Sequence, residues 1–196
     1  MSYQPRTTTQ FKFGRLRTPF FAYSEVIDVG YAYHWLRPPD EVYAPYLFNN
    51  YDGVNVVQSF ENHYFTGSVE AYLGEFSGLV SQDGRESDID VNFLMGFSTQ
   101  LTFDNLTLRA AFNHGDLAKS QPLFQASFAQ LRALFETQQL GSLIDAVELK
   151  GIFTFSQLGF SYDNFDYFFK GELTRFDHDY ILIPRTTSFY LSSGYQ

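Results

Sequence analysis

From Asp90 to Asp116 the chain reads DVNFLMGFSTQLTFDNLTLRAAFNHGD, with an apolar residue at nearly every second position on both sides of an Asp-Asn pair. Val91, Phe93, Met95, Phe97, Leu101 and Phe103 share one parity, and Asn92, Ser98, Gln100 and Thr102 share the other. Beyond Asp104-Asn105, Leu106, Leu108, Ala110 and Phe112 alternate with Thr107, Arg109 and Asn113. Side chains alternate across a strand, so this period of two predicts two strands, and the polar pair between them predicts a hairpin turn.

The same logic recurs along the chain. NFDYFFKGELTRF alternates Phe165, Tyr167, Phe169, Gly171 and Leu173 with Asp166, Lys170, Glu172 and Thr174. GIFTFSQLGFSYD reads as its partner across Asp163-Asn164, with a parity that shifts near Gln157 and so predicts a bulge or a register change. YFTGSVEAYLGEF pairs with GVNVVQSFE across Glu61-Asn62, while TQFKFGRLR opens and TTSFYLSSGYQ closes the series. About eight strands result. Three tight turns alternate with long connections at 18–52, 77–88, 115–148 and 177–184. Short turns at one end and long loops at the other describe an all-β, up-and-down antiparallel sheet.

Periodicity does not say whether the apolar face meets a core or a lipid bilayer. Three features favour lipid and a transmembrane β-barrel. Aromatics gather near strand ends, as Phe103, Tyr162, Phe165 and Tyr167 do, like an interfacial girdle. Gly67, Ala71, Ala110 and Gly171 sit on the apolar faces, where a close-packed core would be left with gaps. The strands span about 10 to 13 residues, longer than the usual five or six of a globular sheet and near the length a tilted membrane strand needs. In that arrangement Glu70, Asn92, Gln100, Arg109, Lys170 and Glu172 line the inner wall.

The connection from Thr18 to Asp52 is long for an unstructured surface loop and holds the only Trp, Trp35. If it folds inward, Glu25, Asp28, Arg37, Asp40 and Glu41 face Lys12, Arg15 and Arg17 of the preceding strand across a narrow gap, an arrangement that sorts ions by charge and size. Arg15 and Arg17 share parity with Phe11 and Phe13, so they turn inward only through a bulge near Gly14; otherwise they pair with surface acids. The 115–148 connection carries Phe124, Phe128, Leu131 and Phe135 at helical spacing, between Ser120-x-Pro122 and Gly141, and predicts one loop helix.

Composition narrows the chemistry. Among 196 residues are 23 Phe, 14 Tyr and no Cys, and the formal net charge is −9. A strongly acidic chain has no basic face for nucleic acid, and without cysteine there is no disulfide or thiolate chemistry. No apolar run approaches the ~20 residues of a spanning helix. His34, His63, His114 and His178 show no metal-binding spacing, and no nucleophile elbow or phosphate-binding glycine run occurs. Neither a cofactor nor a metal is expected, and no enzyme activity. The acids of SQDGRESDID suit a hydrophilic loop tip or cation-bridged lipopolysaccharide.

FKFGRLRTPFFAYSEVIDVGYAYHWLRPPDEVY, YDGVNV and GFSYDNFDYFFKGELTRF, with the closing SFYLSSGY, together resemble Gram-negative porin-like outer-membrane proteins. The resemblance implies a barrel of about sixteen strands, commonly trimeric, with one loop folded inward as a constriction. By that likeness 18–52 corresponds to the constriction loop, and Arg15, Arg17, Asp40 and Glu41 to the charges around the eyelet. The chain departs from the family pattern in lacking a signal peptide, about half the strands and an aromatic terminal strand, so it is expected to be an internal piece of a longer porin. The expected function is passive diffusion of small hydrophilic solutes or ions across a bacterial outer membrane, with membrane lipid and lipopolysaccharide as surroundings. The alternative is a soluble or membrane-anchored β-barrel or sandwich that binds an apolar ligand on the same Phe-rich faces.

Overall fold

In a computed structural model the described residues form one antiparallel sheet of nine strands joined strictly in sequence order. The structure describes residues 2–6, 8–24, 39–43, 48–82, 85–120, 151–179 and 184–195. The strands are β1 (Ser2–Arg6), β2 (Thr9–Arg17), β3 (Asn50–Glu61), β4 (Thr66–Gln82), β5 (Arg85–Phe103), β6 (Leu106–Ser120), β7 (Gly151–Asp163), β8 (Tyr167–His178) and β9 (Thr186–Tyr195), with one short helix, α1 (Asp40–Tyr43). The all-β, up-and-down reading holds, and the predicted strands appear as β2 to β9. The short β1 adds a ninth. The order ends at β1 and β9, and no pairing joins these two edges among the described residues.

Two predicted connections change. β4 and β5 pair out to Gln82 and Arg85, so the stretch read as a long loop over 77–88 is instead the extended end of a hairpin. β6 continues to Ser120, five residues past Gly115, where the third connection was expected to begin. The predicted helix around Phe128 lies outside the described residues.

The turns form where polar side chains replace backbone partners. The Asn62 side-chain oxygen accepts the amides of Tyr64 and Phe65, and that of Asn164 accepts the amides of Asp166 and Tyr167. Asp104 takes a left-handed φ of 46° in the two-residue β5–β6 turn, a conformation that Asp tolerates better than most residues.

One face of the sheet is covered by the connection between β2 and β3, and we call it the inner face. Phe20 and Phe21 pack on Phe155 of β7, Phe48 stacks on Phe76 of β4 and meets Phe153 of β7, and α1 packs on β8 and β9. Strands β4 to β9 would spread over roughly 24 Å in a flat sheet, so the sheet curves around this loop. Part of the curvature lies in the backbone. Gly14, Gly53 and Gly74 are mutual register partners across β2, β3 and β4. A Cβ on Gly53 would stand 2.2 Å from the Leu73 carbonyl oxygen, and one on Gly74 would stand 2.4 Å from that of Asp52. Residues without side chains let these backbones approach.

Further along, glycines are roofed by aromatic register partners: Phe60 over Gly67, Tyr72 over Gly96, Phe153 over Gly115, Phe160 over Gly171 and Phe168 over Gly194. Tyr72 thereby lies across β5, and its hydroxyl donates to Asn113 Oδ1 on β6 at 2.6 Å. The pairing tests directly. A Cβ on Gly96 would sit 2.2 Å from the buried Tyr72 ring, whereas one on Gly78 meets nothing closer than 3.4 Å. Gly96→Ala should lower unfolding stability by about 2 kcal/mol or more in urea titration, through overpacking and the lost Tyr72–Asn113 bond, while Gly78→Ala should stay within about 0.5 kcal/mol.

Candidate functional site

Register partners arrange the inner face in rows that change character from the hairpin-turn end to the long-loop end. Nearest the hairpin turns run Glu61, Thr66, Thr102, Thr107, Ser161, Lys170 and Ser192. The next row holds Ser59, Ser68, Gln100, Arg109, Gly159, Glu172 and Tyr190, and the one after it Val57, Glu70, Ser98, Ala111, Gln157, Thr174 and Ser188. Toward the long loops the face turns aromatic and aliphatic, with Tyr51, Leu94, Val91, Phe153 and Phe155 buried under the loop. The hydroxyl- and amide-rich half is open in part, with Ser59, Glu61, Thr66 and Gln100 exposed, and buries Ser98, Gln157, Glu172 and Thr174 further in, which does not resemble a globular core.

The loop is held by the second and third rows. Arg109 and Glu172 flank Gly159 in register, and the missing side chain leaves room for the Gln157 amide, whose Nε2 would stand 2.7 Å from a Cβ on Gly159. The Arg109 guanidinium donates to the carbonyl oxygens of Pro19 at 2.6 Å and Phe20 at 3.4 Å, and to Gln157 Oε1. The Glu172 carboxylate, 3% exposed, accepts the Ala22 amide at 3.1 Å on one oxygen and the Tyr43 hydroxyl at 2.8 Å on the other. One cation therefore captures loop carbonyls, and one anion captures a loop amide and a hydroxyl. Within the loop, burial and the nearby Glu172 carboxylate push the Tyr23 phenol up to about 12 and raise that of Tyr43 as well. A second cluster lies beside this one: Glu70 accepts Asn55 Nδ2 at 2.7 Å and Ser98 Oγ at 3.1 Å.

Most predicted wall residues come together on the inner face. Glu70, Gln100, Arg109, Lys170 and Glu172 lie there, and Lys12 joins them opposite Asn55. Asn92 does not. The β5–β6 register breaks between Asp90 and Val91 and again between Val91 and Phe93, so Val91 and Leu94 bury on the inner face while Asn92 stays exposed in the bulge. The alternating pattern carried no mark of this slip, because Val91 is as apolar as the outer row it was assigned to.

Arg15 is a further correction. The β2–β3 register is unbroken through Gly14, so Arg15 keeps the parity of Phe11 and Phe13 on the outer face and pairs bidentately with Asp52 at 3.1 and 2.6 Å. Arg17, at the strand end, donates to the Ser24 carbonyl at 3.2 Å. The backbones of Asp40 and Glu41 lie in α1, under which Val42 and Tyr43 bury, while their side chains and the whole of Glu25, Asp28 and Arg37 lie outside the described residues.

Sequence reading also missed Gln157 as a functional group and took it for a register fault. Register through β7 is continuous. The inner face keeps its parity and changes partner, with Phe153 and Phe155 meeting the loop and Gln157 meeting Arg109. Tyr23, Tyr43, Asn55, Tyr72 and Asn113 likewise take their roles from partners distant in sequence. No protein-family model, curated protein or solved structure matches the chain.

Two outcomes follow from the loop contacts. Glu172→Ala should destabilise the fold by roughly 3 kcal/mol, by stranding the Tyr43 hydroxyl, the Ala22 amide and a largely buried guanidinium, and should speed proteolytic cleavage within 18–49. Tyr23 should titrate near pH 12 in absorbance at 295 nm, against about 10 when unfolded. A phenol raised in the folded state contributes stability that is complete below pH ~10 and lost as pH climbs toward 12, so Tyr23→Phe should flatten the alkaline fall in stability over that window.

Proposed function

We propose that this chain forms wall of a transmembrane β-barrel in a bacterial outer membrane, through which small hydrophilic solutes or ions diffuse passively past the inward loop, with no chemical step. The observation that carries the reading is inverted polarity. The inner face is polar over its hairpin half, where Ser59, Glu61, Thr66 and Gln100 are exposed, whereas the outer face presents Phe11, Phe13, Val54, Leu73, Met95, Phe97, Phe112, Leu158 and Phe160 to the surroundings. Phe97 and Phe112, mid-strand register partners, each keep 47% of their surface exposed. A contiguous apolar face of this extent exceeds the few hundred Å² that monomeric soluble proteins expose. Lipid on this face and water on the other satisfy both.

The dimensions agree with a bilayer. Outward apolar residues on β5 run from Phe93 to Phe103, a rise of ~33 Å along the strand, or ~25 Å of membrane normal at the tilt usual in such barrels. The borders of the band change chemistry as an interface requires. Phe103, Tyr162, Tyr167 and Tyr195 stand at the hairpin end, while the Arg15–Asp52 and Arg175–Asp177 pairs stand at the long-loop end. The loop reaches down the inner face to Arg109 and Glu172, in the second row from the hairpin turns, and narrows the path above them, which favours exclusion by size and charge as the sorting mechanism. An apolar-ligand module would place the Phe-rich face inward, opposite to the polarity observed.

Two variants on neighbouring positions of β5 test the reading. Phe97→Arg puts a charge on the outer face and should cost about 2–4 kcal/mol of folding in lipid vesicles, whereas Gln100→Arg on the inner face should fold almost as well as the parent. Folding is read from heat-dependent gel mobility after refolding in detergent, with a detergent-free control. Equal tolerance of both variants, or a monodisperse β-rich species without detergent, would place the Phe-rich face away from lipid and refute the barrel.

A further inference from the structure

Below the loop, on the hairpin side, lies a cavity of about 270 Å³ between loop residues Ala22 and Tyr23 and the walls of β5 to β9. Its polar lining is one-sided in charge. Lys170 and Arg109 contribute cations, Gln100, Thr107, Ser161, Tyr23 and Tyr190 contribute neutral polar groups, and no carboxylate is among the described residues that line it. This stands out in a chain of net charge −9. The nearest described acids are held by other groups: Glu172, whose charge acts on Tyr23, Tyr190 and Arg109, accepts from Ala22 and Tyr43, and Glu70 accepts from Asn55 and Ser98. Asp163 attracts Lys170 from the hairpin end without lining the cavity.

We propose that this cavity is a binding subsite for a small oxyanion, a carboxylate or phosphate group. It rests on the channel reading in one respect, since the solute would reach it along the inner face. Lys170 supplies the capturing charge. Arg109 already spends three of its five N–H donors on Pro19, Phe20 and Gln157, so it contributes chiefly a fixed positive charge, offset in part by Glu172 and Glu70. Thr107 and Ser161, register partners on adjacent strands, place hydroxyls one residue row from Arg109; that of Thr107 also bonds Thr102, and that of Ser161 stands beside Lys170 in register. The Lys170 ammonium stands 5.3 Å from the Phe168 ring centroid, a contact that steadies it without using up its hydrogen-bond donors. The volume suits an ion of a few heavy atoms with water, and excludes a bulky chain.

The test measures equilibrium binding of inorganic phosphate and of citrate, separately and at low ionic strength, to the detergent-refolded chain and to Lys170→Met and Ser161→Ala, with planar-bilayer conductance recorded in parallel. The subsite predicts saturable binding of at least one of the two anions, weakened about tenfold or more by Lys170→Met and several-fold by Ser161→Ala, with circular dichroism unchanged. Citrate binding alone would identify a carboxylate site, and phosphate binding alone a phosphate site. Binding equal in parent and Lys170→Met, or absent for both anions in a folded parent, overturns the subsite whatever the conductance shows. Absence of conductance with Lys170-dependent binding intact would instead sink the channel reading and leave the subsite standing.

Discussion

A guanidinium cannot be taken out of water without several kcal/mol of cost unless fixed partners replace its hydration. Arg109 sits largely buried on a sheet face, and its replacements are two loop carbonyls and a glutamine. Glu172, one strand beyond Gly159, is satisfied by the amide and hydroxyl of the same loop. The requirement runs both ways. The loop can lie against a polar wall because its own backbone groups are answered there, and the wall can carry a buried cation and anion because the loop answers them. The curvature of the sheet, the burial of Phe20, Phe21 and Tyr43, and the cavity beneath Ala22 and Tyr23 all follow from where that exchange fixes the chain.

Much of this was legible from alternation alone. A side-chain period of two survives without knowledge of the fold, and so the strand set, the Asp104-Asn105 and Asp163-Asn164 turns, and the sides taken by Gln100, Arg109, Lys170 and Glu172 could be read directly. What alternation cannot register is a change in what a face touches. At Gln157 the inner row passes from aromatic to polar because the loop's rings give way there to backbone groups answered by Arg109 and Glu172, and a pattern reader sees a slipped register. At Asn92 the reverse occurs: a real slip is concealed, since the bulge exchanges one apolar residue for another. Arg15 was open because parity and charge pointed to opposite faces, and a bidentate partner at Asp52 is available only on the outer one.

The loop contacts were out of reach for a different reason. Glu172 and Ala22 are 150 positions apart, and Arg109 and Pro19 are 90 apart. Hydrogen bonds between such groups leave no periodicity in a sequence. The inward course of the loop could be expected from its length, its aromatics and the likeness to porin-like proteins, but not which wall groups would hold it.

The glycine row through Gly14, Gly53 and Gly74 separates two properties that most proteins bind together. In a sheet wrapped around a core, curvature is negotiated among side chains, and changing the filling changes the bend. Here part of the bend is fixed where the backbones of β2, β3 and β4 approach through the absence of side chains, whereas Gln100, Arg109 and Lys170 stand on β5, β6 and β8. Wall shape and wall chemistry are written at different addresses. Away from Arg109 and Glu172, inner-surface positions such as Gln100 and Lys170 can change toward another charge or another hydrogen-bonding pattern without touching the backbone contacts that set this part of the arch.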